Sequence, residues 1–274
     1  MNRIISLLLT AVLLSTAAQS IAVTRAKSSR QIEQLKYNAY WHWGFIWKLA
    51  GSGELTLTEE VESDNTTRFH GRLCGRSHSI VETIMKVRDT LDCYYAPQNL
   101  IPLEYCKKTN EGNYHAIEHN YYHTYVGAEQ CKKPHLIDRS TVDSTTVDIY
   151  RWRSNHGNNH VVVSSLGIGF DMLSIFYELR NLDFGQMKAG QQLEYYINAG
   201  VKNKALHVKF CGQQTCTLKN GRKYDAYAIE LTFASKDSDS TPVLAWLATT
   251  PDHRPLSVII SLKRIGAVQG EIVE

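Results

Sequence analysis

The sequence predicts an all-β protein, mainly antiparallel, with two short helices and a sheet curved toward a half-barrel. Three observations carry that expectation. Val, Thr, Ile and aromatic residues recur with the two-residue period of a strand through most of the chain. Turn-forming clusters punctuate these runs: Gly51-Ser52-Gly53, Asp64-Asn65, Pro97-Gln98-Asn99, Asn110-Glu111-Gly112 and Asn155–Asn159. Helical spacing is found in two windows, His78–Val87 and the segment after Asp171.

The first residues read as an export signal. Met1-Asn2-Arg3 gives a short basic start, and Ile4–Leu14 is apolar apart from Ser6 and Thr10. Ser15, Thr16, Ala17, Ala18, Ser20 and Ala22 then supply small residues, so cleavage after Ala18, Ser20 or Ala22 satisfies the signal pattern. The apolar run is shorter than the roughly 20 residues of a membrane span, and no later run approaches that length. No cysteine lies near the cleavage zone. The expectation is a signal peptide over residues 1–22 and a soluble periplasmic protein, not an integral membrane protein. Residues 23–274 read as a single domain, with two similar lobes dividing near 165 as the alternative.

The elements follow in order. Tyr37–Trp47 alternates Trp41, Trp43, Phe45 and Trp47 with other residues, which predicts four aromatics on one strand face. Gly51-Ser52-Gly53 is expected to turn the chain into a second strand from Glu54, and Asp64-Asn65 into a third over Thr66–Leu73. Ile80, Val81, Ile84 and Met85 share one helix face. Strands resume at Asp89–Tyr95, Leu100–Cys106, Asn113–Tyr125 and Thr141–Trp152. Asp171 is an N-cap for a second helix whose apolar face is Met172, Leu173, Ile175, Phe176 and Leu179. Further strands are expected at Leu193–Asn198, Ala205–Cys211, Thr215–Leu218 and Tyr224–Phe233. Ser235–Ser240 is a polar loop, Val243–Thr249 and Leu256–Leu262 form a hairpin, and Gly266 opens a final strand.

The charge balance excludes a phosphate-backbone role: 30 basic and 27 acidic residues leave a net charge of +3, with no long Lys/Arg run. No Gly-x-Ser-x-Gly elbow, phosphate loop, dinucleotide fingerprint or His-Glu-x-x-His motif occurs, so no cofactor is expected. Three candidate sites remain. Trp41, Trp43, Phe45 and Trp47 either line a ligand cavity or pack a solid core. His115, His119 and His123, four apart, share one face of a strand. At roughly 3.3 Å per residue they stand about 13 Å apart, too far to share one metal, and so predict an exposed His/Tyr interaction face. All six cysteines lie after the signal; Cys211 and Cys216, flanking a turn-like tetrapeptide, are the one pair the spacing suggests as a disulfide. His156 and His160 read as loop residues, and Asp252-His253-Arg254 as turn chemistry.

Four stretches in order resemble the bacterial domain-of-unknown-function 3108 family. They are Trp43–Gly51; Lys86–Leu91 with Ile101–Leu103; Asp171–Arg180; and Ala245–Leu247 with Asp252–Leu256 and Gly266–Val268. The likeness spans nearly all of the chain after the signal. It implies an exported envelope protein and brings no activity with it. The expected function is therefore a non-enzymatic carrier or receptor for an amphipathic, lipid-like ligand or an envelope component. The alternatives are an envelope scaffold with a solid core that binds a protein, and, lower, a metal-dependent hydrolase.

Overall fold

The two ends of the chain meet in the middle of one sheet. In a computed structural model, which describes residues 28–83, 85–234, 242–262 and 266–273, β1 (Ser28–Trp43) pairs antiparallel with β16 (Gly266–Val273), the register running from Lys36↔Val273 to His42↔Ala267. The export-signal segment and the polar stretch Ser235–Ser240 lie outside the described residues.

From β1 the sheet runs one way through β2 (Ile46–Val61), β3 (Thr67–Ser77), β4 (Arg88–Tyr95), β5 (Pro102–Glu111), β6 (Tyr114–Val126), β8 (Ser144–Arg153) and β9 (Gly157–Leu166). From β16 it runs the other way through β15 (Pro255–Leu262), β14 (Val243–Ala248), β13 (Lys223–Phe233), β12 (Lys202–Thr217) and β11 (Gln192–Ala199), to the two-residue β10 (Gly169–Phe170). A short β7 (Glu129–Gln130) pairs with β6. Every neighbouring pair is antiparallel except β10 and β11. The free strand β9 comes back against β10 and β12, where Asn203 Nδ2 donates to the Ser164 carbonyl at 3.1 Å. One continuous sheet thus curls almost to closure, with the unpaired edges confined to the seam between β9 and β10–β11.

The two helices are short. The first, α1 (Ser79–Glu82), is one turn between β3 and β4. The second, α2 (Ser174–Arg180), has Asp171 Oδ1 accepting from the amides of Leu173 and Ser174, both at 2.8 Å, so the expected capping residue works just ahead of the helix. Strand connections alternate between two ends of the barrel. At one end lie the β1–β2, β5–β6, β8–β9 and β11–β12 turns; at the other lie the β4–β5 and β14–β15 turns, while the β12–β13 turn reaches back to the β1–β2 hairpin, where Lys219 sits over Tyr40 and Trp47. The helix α2 belongs to the second end. Arg180 makes a bidentate ion pair with Glu33 near the start of β1 (2.5 and 2.8 Å) and donates to the Asp252 carbonyl in the β14–β15 turn. Glu178 takes a bidentate pair from Arg139 (2.8 and 3.0 Å).

Inside, α2 divides the core. Ile175 and Leu179 pack with Phe184, Leu206, Val208, Phe210, Ile229 and Leu247. Leu173 and Tyr177 pack with Leu55, Cys93, Tyr95, Tyr105, Val147 and Ile149. Gly71 makes room for this: a Cβ there would meet Tyr177 Cε2 at 2.6 Å and Cys93 Sγ at 2.9 Å.

Three expectations are corrected. The aromatic run is not one strand: the chain reverses at Gly44-Phe45, with Gly44 at φ +57, as a two-residue hairpin turn with glycine in its first central position requires. Gly51-Ser52-Gly53 consequently lies inside β2, not at a turn. The chain between Cys211 and Cys216 does not turn either. Strand β12 continues through it with a bulge between Phe210 and Gly212. Five residues of strand separate the two Cα atoms by roughly 16 Å, against about 4.4–6.8 Å between the Cα atoms of a disulfide. Both cysteines are free.

Candidate functional site

Inward and outward side chains alternate along β6. Ala116, Glu118, Asn120, Tyr122 and Thr124 are buried, while His115, Ile117, His119, Tyr121 and His123 face out. The inward set is unusually polar for a barrel wall. Tyr105 Oη, Asn120 Oδ1, Thr124 Oγ1, Ser165 Oγ and Asp171 Oδ2 are buried with no hydrogen-bond partner. Such groups are costly in a closed apolar core and are expected where water or a ligand is taken up.

A cavity of about 370 Å³ has Tyr105 in its lining, whereas Asn120, Thr124, Ser165 and Asp171 lie outside that lining. Leu91, Tyr105, Ala116, Met172 and Val201 supply apolar and aromatic wall, and Met172 stands just before α2, so the helix lies beneath the cavity. Lys107, Arg151, Lys202 and Lys204 supply cationic wall, with Glu118 as the one acidic side chain. Arg151 Nε lies 3.5 Å from Glu118 Oε2. Lys202 and Lys204 have the same strand parity as the buried Leu206 and Val208, yet are exposed, because β12 begins at the rim. The β5–β6 and β11–β12 connections place the cavity toward the end opposite the α2 plug.

Beside Lys107, the wall holds two acids without full partners. Burial pushes the Asp89 carboxyl up to about 6, against one amide donated by Asn110. Burial, with the Asp89 charge nearby, pushes Glu111 up to about 8, and Lys107 offsets only part of that. Asp89 Oδ2 and Glu111 Oε1 have no partner.

The aromatic quartet does not line this cavity. It forms the tip of the β1–β2 hairpin, where Phe45 is 94% and Trp43 59% exposed. Trp41 and Trp47 are half-buried, and Trp47 stacks on His42 with centroids 4.1 Å apart. The three histidines do share the outer face of β6, and two of them find acids on neighbouring strands. His119 Nε2 lies 3.4 Å from Glu104, and His123 Nε2 lies 3.0 Å from Asp148. Asp148 also holds His160 at 2.8 Å, so His160 belongs to strand β9 and to this face. The Nδ1 atom of His115 is buried without a partner, and desolvation lowers that residue's pKa. Among the described residues no group of three or more His, Cys, Asp or Glu side chains could hold a metal ion.

Sequence reasoning missed His70. Its ring bridges Glu60 (2.9 Å) and Asp92 (2.7 Å), and Arg72 joins Asp92 at 2.6 Å. Burial alone would depress the His70 pKa, but the two carboxylates outweigh it and hold it up. These partners lie on three strands, so no local spacing announces them. Asp252-His253-Arg254 is a turn, with His253 at φ +40, and it also grips α2: His253 Nδ1 donates to the Arg180 carbonyl at 2.8 Å.

An antiparallel sheet curled almost to closure, plugged by a helix at one end and hollow toward the other, defines a β-barrel-like class. The family model "Protein of unknown function (DUF3108)" matches residues 36–272, and the chain belongs to that family. Among solved structures the chain is similar to the β-barrel-like protein of domain of unknown function DUF1849 from Brucella abortus. That match has a TM-score of 0.51 and 11% identity, and covers 88% of this chain and 95% of the other. At that identity the likeness is one of fold. No curated protein matches the chain.

Proposed function

We propose that this is an exported, periplasmic binding protein that carries an amphipathic ligand with an anionic head in the barrel cavity. One observation carries the proposal: a cavity of about 370 Å³ with Leu91, Ala116, Met172 and Val201 in its wall and Lys202 and Lys204 at its mouth. Ligand pockets run from roughly 300 to 1,000 Å³ and join an apolar lining to a few placed polar groups. A tail lies along the apolar wall, where burial is favourable, and a carboxylate or phosphate meets the lysines. The buried Glu118 disfavours a second negative charge deeper in, which fixes the head outward. The export half of the proposal rests on the signal pattern. Its check is N-terminal sequencing of the mature protein, which should begin after Ala18, Ser20 or Ala22.

The binding half is tested by calorimetry with two probes of equal chain length. Dodecanoate should bind, and dodecyltrimethylammonium should bind more weakly. The double substitution Lys202→Glu with Lys204→Glu should narrow or reverse that preference. Ala116→Trp, which fills the cavity, should abolish binding of both. Equal binding of the two probes, or dodecanoate affinity unchanged by Ala116→Trp, would overturn the reading.

The envelope-scaffold alternative draws on a different observation, the outer His119/Tyr121/Tyr150/His160 face, where rings stack at 4.3–4.5 Å between neighbours. It predicts loss of a protein partner on Tyr150→Ser, with probe binding unaffected. The metal-dependent hydrolase has no converging ligand set among the described residues to draw on.

A further inference from the structure

The β1–β2 hairpin has no place in the carrier mechanism, yet it exposes four large apolar side chains, Trp43, Phe45, Ile46 and Leu49. It stands clear of its neighbour. The last β2–β3 pair is Gly51↔Ser77, and four more β1–β2 pairs follow, from Tyr40↔Leu49 to Trp43↔Ile46. At roughly 3.3 Å per residue the tip projects about 13 Å beyond β3. Phe45 at the turn is 94% exposed, Trp43 59%, Ile46 40% and Leu49 38%. The tip is also braced. A Cβ at Gly266, the first residue of β16, would meet the His42 carbonyl, so β16 flanks the hairpin up to the residue before its turn. Lys219 Nζ sits 4.5 Å from the Trp47 ring centroid.

We propose that this hairpin tip docks the protein on a lipid bilayer carrying anionic headgroups, and so turns the cavity end of the barrel toward the membrane. Three features favour a bilayer over a protein partner. First, the tip is apolar on both faces: Trp43 pairs with Ile46 on one, while Leu49, across from Tyr40, lies on the other. A protein groove covers one face of a ribbon, whereas a bilayer interface surrounds the tip. Second, the aromatic content suits the headgroup level, where Trp is enriched. Interfacial elements sink about 5–10 Å, less than the projection beyond β3, so on that side the rim is left among the headgroups, while on the β16 side the Trp43–Ile46 turn alone stands beyond Ala267. Third, that rim is cationic. Among the described residues, Lys48, Arg76, Lys86, Lys202 and Lys204 are exposed there, and Glu82 is held by Arg88 at 2.6 Å. Unpaired backbone at the turn keeps the insertion shallow, because such groups do not enter hydrocarbon.

The inference goes beyond the carrier reading and does not need it. The test is co-sedimentation of the mature full chain with vesicles of phosphatidylethanolamine and phosphatidylglycerol, and with vesicles of phosphatidylcholine alone. The wild type should partition onto the anionic vesicles and less onto phosphatidylcholine. Trp43→Ser with Phe45→Ser should lower partitioning at least about tenfold, the order expected from losing one buried aromatic. Lys48→Glu should weaken binding to anionic vesicles only. Dodecanoate binding by the Trp43/Phe45 variant should stay at the wild-type level, which separates failure here from failure of the carrier reading. If the double variant melts early, Phe45→Asp alone serves, since that side chain is almost wholly exposed. A wild type left in the supernatant with every vesicle would overturn the proposal. So would a Phe45 variant that binds like the wild type, or a tip that captures a protein while ignoring lipid.

Discussion

Glu111 and Asp89 share a stretch of barrel wall with no full set of partners, and their titration has a defined sign. Burial raises Glu111 to about 8 and Asp89 to about 6, above ordinary carboxylate values. The folded state therefore binds more protons than the unfolded chain between about pH 4 and 8, and stability falls as pH rises through that window. Glu111→Gln removes the penalty. Its thermal midpoint should exceed the wild type's at pH 8 by at least about 2–4 °C, the shift that ~1 kcal/mol brings in a chain of this size, and by much less at pH 4.5. Equal gains at both pH values would refute the assignment. The cysteines give a second prediction. Differential alkylation of protein unfolded without reductant should find Cys211 and Cys216 unbridged, and native Cys93 should stay unlabelled. Its thiol is fully buried and pushed well up by desolvation. The alternation of His115, His119 and His123 was legible because strand parity is local. The Cys pairing was misread because a bulge can continue a strand through residues that resemble a turn.

The element that organises the interior is α2, and ion pairs fasten it. Arg180 and Glu33 are both largely buried, so removing one charge strands the other. Arg180→Met should cost about 3–5 kcal/mol of unfolding free energy, as for other broken buried pairs, and Arg180→Met with Glu33→Leu should recover part of it. Urea titration of the three proteins checks this; a double variant worse than the single one would contradict it. Gly71→Ala should cost about 1–3 kcal/mol in the same assay, because the new methyl collides with Tyr177 and Cys93. The helix itself was visible from Asp171 and its apolar spacing. Its fastenings were not, since Glu33, Arg139 and Asp252 are far from it in sequence. The β1–β2 hairpin shows the converse. Period-two alternation survives a two-residue turn, so a run of aromatics reads as one strand until Gly44 is seen at positive φ.

At the scale of the molecule, the sheet is held differently at its two closures. The β1–β16 junction is a seven-pair ladder inside the sheet, with β1 also bonded to β2. At the other closure β9 is bonded along its length to β8 alone, and β10 contributes two residues. Hydrogen exchange followed by mass spectrometry should therefore show β9 amides exchanging well before those of β1. Equal protection would mean that the seam is sealed. The strand content, the turn at Asp64-Asn65, the final hairpin and the family were all determined by the sequence alone, because period, turn chemistry and motif order are properties of neighbours along the chain. The join of first strand to last, the plug and the cavity were decided by tertiary structure. So was the exposure of Trp43 and Phe45, which the sequence suggested as cavity lining or core. A local pattern records which side chains share a face, but which face becomes the inside depends on how the whole sheet closes.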